Sequence, residues 1–161
     1  PDAPRTTERI VIGLFGNDAP QPISILKQLV SPTGYPSKCK PKEERILQRE
    51  QLEANKVYNA CKESEERGVD YDFAQVWRIR QNERIDVGSV AGRFVARENP
   101  NFMEDKGSLL THDAAGVVSV RRGNDGGFGF TIYPGGAKPN DDGLRELNEE
   151  NIVVGKVLEG M

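Results

Sequence analysis

The chain has 161 residues, which suits one domain large enough to bury a real core. Apolar residues make up 36%, charged residues 29%, and the formal net charge is −3. No basic excess exists to displace counterions, so nucleic acid is excluded as a partner. No run of about 20 apolar residues occurs, so no segment of the chain spans a membrane as a helix.

In chain order, Pro1 to Thr7 reads as an extended tail. Arg9 to Phe15, RIVIGLF, is β-branched and apolar and predicts a buried strand. GNDAP breaks it, and Asp18 is placed to cap a helix that starts near Pro20 or Pro22. Ile23, Leu26 and Val30, widened by Ile25 and Leu29, form the apolar stripe of that helix. Ser31 to Pro41 is Pro-rich and irregular. Glu43 to Arg67 is strongly charged and predicts one helix or two short ones, packed weakly on the surface. From Tyr71 the pattern turns to β: YDFAQVWRI, IDVGSVAGRFV, GVVSV and FGFTIY are short runs split by turn residues. The stretch from Asn99 to Gly116 reads as a loop and Asp142 to Asn151 as polar. NIVVGKVLEGM closes the chain with a strand and a turn.

Chemistry-bearing residues are sparse. Cys39 and Cys61 are either two unrelated thiols or one disulfide, which would close a loop of about 23 residues and contribute roughly 3 kcal/mol in an oxidising compartment. Two Cys and His112 lack the close spacing of a metal site, so none is expected. His112 reads as a loop histidine and Trp77 as a core or groove-side aromatic. Gly123 to Gly127 reads as a turn between strands, since no Lys-Ser/Thr follows it. Asn140, Asp141 and Asp142 read as a polar turn, because no bidentate Glu follows at the position a calcium loop requires.

Four stretches in this order resemble a cyclophilin: Arg9 to Val30, Phe73 to Ile79 (FAQVWRI), Gly116 to Ile132 (GVVSVRRGNDGGFGFTI) and Asn151 to Met161. They cover about a third of the chain. The resemblance implies a mainly β fold: a cyclophilin-like antiparallel barrel over residues 1–161, with a short covering helix and a charged helical insertion at 31–68. It implies non-covalent peptidyl-prolyl isomerisation without a cofactor, in which an arginine lies near the proline nitrogen beside an apolar pocket. Arg78 matches that arginine. Glu83, Arg84 and Asp86 stand where the family has apolar and amide groups. Arg121 and Arg122 replace a small residue and an asparagine, Gly129 and Thr131 a glutamine and a phenylalanine, and Asn151 a histidine. Charge disfavours burial of a proline ring. Family members also continue past the matching terminal segment to close the barrel, so the chain is expected to lack those closing elements and to be a fragment.

The resemblance therefore implies a non-catalytic binding or scaffold module, with weak residual isomerase activity at Arg78 as the alternative. Arg78 has a structural alternative too, as the ion-pair partner of Asp86 or Glu83. Arg80, Arg84, Arg121 and Arg122 form either a basic groove for an acidic protein partner or a scatter of solvated charges. Divergent cyclophilins of this kind resemble those of the chloroplast thylakoid lumen. That implies an accessory or assembly subunit of a membrane-bound photosynthetic complex, the alternative being a cytoplasmic or other soluble compartment. A start at Pro1 rather than Met fits removal of a transit peptide.

Overall fold

The computed structural model describes residues 4–41, 47–89, 96–104 and 110–161. The start of the expected tail, the beginning of the charged helix, the end of the IDVGSVAGRFV run and part of the 99–116 loop lie outside the described residues.

Six strands form one antiparallel sheet: β1 (Val11–Leu14), β2 (Gln75–Arg80), β3 (Arg84–Ser89), β4 (Val117–Arg121), β5 (Phe130–Ile132) and β6 (Asn151–Glu159), in the order β1-β6-β4-β5-β3-β2. β1 and β2 are its edges, and they do not pair with each other, so the sheet is not closed into a barrel. Closure needs hydrogen bonds between the first and last strand, which a pattern of strand-forming runs does not specify.

Both faces of the central strands are covered, which is why VVSV of β4 and NIVVG of β6 are buried at every position. Alternate residues point to opposite faces. Val118, Val120, Ile132, Ile152 and Val154 pack against α1 (Pro20–Leu29), through Ile23, Ile25, Leu26 and Leu29. Val117, Tyr133 and Val153, on the other face, pack against Leu147 of α3 (Asp142–Glu150).

The helix ends depart from expectation. The residue before α1 is Ala19, with no side-chain cap, so Asp18 does not cap it; prolines in the first turn remove N–H groups that would need one. Val30 lies just past the helix and is exposed, outside the apolar stripe. The polar stretch at 142–151 is helix α3, and Asp141 is its cap, accepting from the N–H groups of Gly143 (2.9 Å) and Leu144 (3.3 Å). Tyr71 to Phe73 is not strand. Phe73 takes a left-handed φ of 63°, Tyr71 turns its ring onto Phe130, and β2 begins at Gln75.

The 31–68 segment leaves and re-enters the body through a narrow neck. Tyr35 and Val69 bridge there, and Gly34 and Gly68 lie back to back, so close that a Cβ on Gly34 would sit 2.6 Å from the Gly68 carbonyl carbon. Within the segment, α2 (Gln48–Glu63) buries only Ala54 and Cys61. Cys39 and Cys61 are joined by a disulfide, with Cα atoms 6.0 Å apart. The buried Arg97 guanidinium donates to the carbonyls of Ser64 (2.9 Å), Glu65 (3.2 Å) and Arg67 (2.9 Å) at the end of α2, and to Ser37 (2.5 Å).

Candidate functional site

A single row of polar side chains crosses the sheet on the α3 face. Its register runs Arg78 opposite Asp86, Asp86 opposite Thr131, and Thr131 opposite Ser119, through β2, β3, β5 and β4. Polar residues in so apolar a sheet must satisfy each other, and here they form two linked groups.

The first group is built around Asp86, which is 2% exposed. Its carboxylate accepts from Arg84 Nε (2.9 Å) and Nη2 (2.9 Å), from the Thr131 hydroxyl (2.6 Å), and from Arg78 Nε. Burial pushes the Asp86 carboxyl up, but the bonds from Arg84, Thr131 and Arg78 outweigh it and hold it below the usual carboxylate range. Arg78 has little freedom left: beyond Asp86, its guanidinium lies 4.5 Å from the Trp77 ring centroid. Trp77 is half exposed and lies on the edge strand, neither in the core nor in a groove.

The second group is built around His112, which is in a loop as expected but only 2% exposed. Asn148 Oδ1 of α3 accepts from the His112 backbone N–H (2.8 Å) and from ring Nδ1 (2.6 Å). Ring Nε2 meets Ser119 Oγ at 2.8 Å, and Asn151 Nδ2 donates to the same Oγ at 2.9 Å. Hydroxyl, imidazole and orienting amide thus stand in the order found in serine nucleophile systems. Ser119 is fully buried, however, so its oxygen meets no substrate and the chain of bonds works as a structural relay. Burial pushes the His112 imidazole below its usual range.

The remaining expected groove residues are dispersed. Arg121 pairs with Asp125 (3.2 Å) and Glu150 (3.3 Å), and Arg122 with Glu104 (2.8 Å) and the Glu149 carbonyl. Glu83, in the β2–β3 turn, pairs with Arg80 at 3.2 Å. Arg121 and Arg122 therefore lie apart from Arg80 and Arg84, which face each other across β2 and β3: Arg121 ends β4 while Arg84 begins β3, and each carries its own carboxylate. Gly129 is required by packing, since a Cβ there would lie 2.5 Å from the Val87 carbonyl oxygen of the adjacent strand. Asn151 belongs to the His112 group.

An apolar cleft of about 380 Å³ lies on the other face, between α1 and the sheet, lined by Leu26, Val87, Val118 and Phe130 among others. Its one phenol, Tyr71, donates to the Phe128 carbonyl, and burial pushes that phenol up. Among the described residues no cluster of His, Cys, Asp and Glu is placed to hold a metal, and no helix is long and apolar enough to cross a membrane. Compared with known proteins, the chain matches no family model and no curated protein sequence.

Sequence reasoning found Arg78, Arg84, Asp86, Thr131 and Asn151 but missed Ser119 and Asn148. Ser119 did carry a signal, as the one hydroxyl in a strand of valines.

Proposed function

We propose that the chain is a non-catalytic, cyclophilin-like binding or scaffold module that serves as an accessory or assembly subunit of a larger photosynthetic complex. The observation that carries this reading is the state of Arg78. Proline isomerisation by this family's route needs a free guanidinium beside an apolar pocket. Arg78 is bonded to Asp86 and stacked on Trp77, and the apolar cleft lies across the sheet from it, against α1. A proline ring placed at Arg78 would meet Asp86 and Arg84 rather than apolar walls, which its burial disfavours.

Two further features support a subunit role. Among the described residues both sheet edges, β1 and β2, lack a neighbouring strand on one side, and β2 exposes Val76, Trp77 and Ile79, a surface suited to a protein partner. The Cys39–Cys61 disulfide is in keeping with an oxidising compartment such as the thylakoid lumen rather than the cytoplasm.

The test is exchange in an X-Pro peptide followed by NMR at high protein concentration. Uncatalysed exchange takes tens to hundreds of seconds. The expected result is no acceleration. Acceleration that disappears in Arg78→Ala would overturn the non-catalytic reading and leave a weak isomerase. Fractionation that finds the protein outside plastids would remove the photosynthetic assignment alone.

A further inference from the structure

Polar groups packed between a helix and a sheet are stable only while each proton has an acceptor. The His112 group meets that condition with one arrangement. Asn148 Oδ1 can only accept, and it faces both the His112 N–H and ring Nδ1, so Nδ1 carries the ring proton. Nε2 is then bare and takes the Ser119 hydroxyl proton, while Ser119 Oγ takes a proton of Asn151 Nδ2.

A second ring proton has no good place. It would arrive at Nε2, against the Ser119 hydroxyl hydrogen, and force the hydroxyl to turn away. Asn151 Oδ1 is buried without a partner, but it belongs to the same amide that already donates to Ser119. The hydroxyl gains that acceptor only if the amide turns over, and Nδ2 then loses its own. Either arrangement of a charged ring leaves a buried donor without an acceptor, the Ser119 hydroxyl or the Asn151 amide N–H, whereas the neutral ring leaves only the Asn151 Oδ1 acceptor unfilled.

The surroundings add to this. Arg84 on β3 repels a cation at His112, and Asp113 on the ring's own segment attracts one. Around the slot, α3 turns Asn148 and β4 turns Ser119 to the ring, Tyr133 just past β5 meets it in a T-shaped contact, and Asn151 of β6 backs Ser119, all uncharged. The ring is also a tie between elements, since its bonds join the 110–114 segment to α3 and to β4.

We propose that His112 is a proton-operated latch: neutral, it locks α3 and the 110–114 segment onto β4, and protonated, it leaves its slot and frees both. The latch is independent of what the sheet binds.

His112 is the only histidine in the chain, so its imidazole resonances titrate without overlap. The experiment is amide hydrogen exchange of α3 from pH 7 to pH 5, corrected for intrinsic rates, beside the NMR titration of His112. The expected result is an opening of α3 that rises by up to about tenfold per pH unit below the ordinary histidine value, the slope of one proton. Central amides of β4 should not follow it. His112→Gln should give a flat profile. Asn148→Asp places a carboxylate at Nδ1, which favours the imidazolium in the slot and should keep α3 closed at pH 5. An α3 that opens no more at pH 5 than at pH 7 overturns the proposal, as does the same rise in His112→Gln. Should His112→Gln not fold, a rise that persists in Asn148→Asp overturns it.

Discussion

The sheet body and the 31–68 segment are held by opposite means. In the body, alternate faces of β4 and β6 bury valines and isoleucines against α1 and α3. The segment has almost no apolar core of its own. Among the described residues its helix α2 buries two small side chains, and the segment is held further by one disulfide, the Arg97 bonds, the pairing of 37–40 with 96–98 and the glycine neck. Apolar burial couples everything that shares the core. A cross-link and a few hydrogen bonds couple only what they join. The body should therefore unfold as one unit, while the segment can open by itself.

The largest effect should come from the body. Leu29 is fully buried at the end of α1, where it packs into the larger core cluster. Leu29→Ala should cost about 3–5 kcal/mol, seen as a lower midpoint in a single denaturant transition that carries sheet and α1 together. A loss under about 1 kcal/mol would mean that the site collapses around the missing side chain, and that the core is less shared than its packing implies. Opening the Cys39–Cys61 bond, by reduction or by a double Cys→Ala change, should cost about 3 kcal/mol at most, and the cost should be local. Exchange protection in α2 should fall while β4 keeps its own. Equal loss in both would merge the two regions into one cooperative unit.

Acid should sharpen the comparison from the other side. The folded Asp86 carboxyl titrates below its ordinary value of 3.8, because Arg84, Thr131 and Arg78 outweigh its burial. A lowered carboxylate contributes stability that is present above the unfolded value and lost as pH falls through the folded one. The body should weaken as pH drops below 3.8, and Asp86→Asn should flatten that part of the profile at the cost of lower stability at neutral pH. Glu65 in the segment is also lowered, by its bond to Lys62, but Lys62 is half exposed and solvent screens the pair, so no comparable acid step is expected from the segment. A pH-stability curve for the wild type and Asp86→Asn checks this directly.

How much of this was legible in the sequence depended on the distance over which a feature acts. GVVSV and NIVVGKV announce buried strands, and the α1 stripe announces its buried face, because each pattern repeats within one element. The sequence of helix α3 reads as merely polar because Leu147 is the only residue it buries fully, which leaves no stripe, although Asp141 stands in place as its cap. Arg78 and Asp86 are eight residues apart on one hairpin, so their pairing was a readable alternative. Asn148 lies 36 residues from His112, and that contact exists only because α3 folds back over the sheet. Only likeness puts Arg121 and Arg122 in a groove; beyond the nearby Asp125, the carboxylates that hold them come from the 104 loop and from α3. Whether a sheet closes is likewise a matter of its two ends, which no single run of residues encodes.

The smallest effect concerns the residue on which the family likeness turned. Arg78 is about one third exposed at the edge of the row, and Asp86 keeps Arg84 and Thr131 without it. Arg78→Ala should therefore cost only about 1 kcal/mol, the scale of one partly solvated hydrogen bond. Arg84 is mostly buried and donates to both Asp86 oxygens. Arg84→Ala should cost about 3 kcal/mol, since it strips most of the pairing from a buried carboxylate. A double-mutant cycle with Asp86→Asn separates the two couplings. If Arg78 proves coupled to Asp86 as strongly as Arg84 is, the edge strand β2 is part of the body's cooperative unit, and Arg78 is as structural as any residue in it. If its coupling is near zero, the guanidinium is held only loosely by its carboxylate and can be drawn away by a partner that offers a better one.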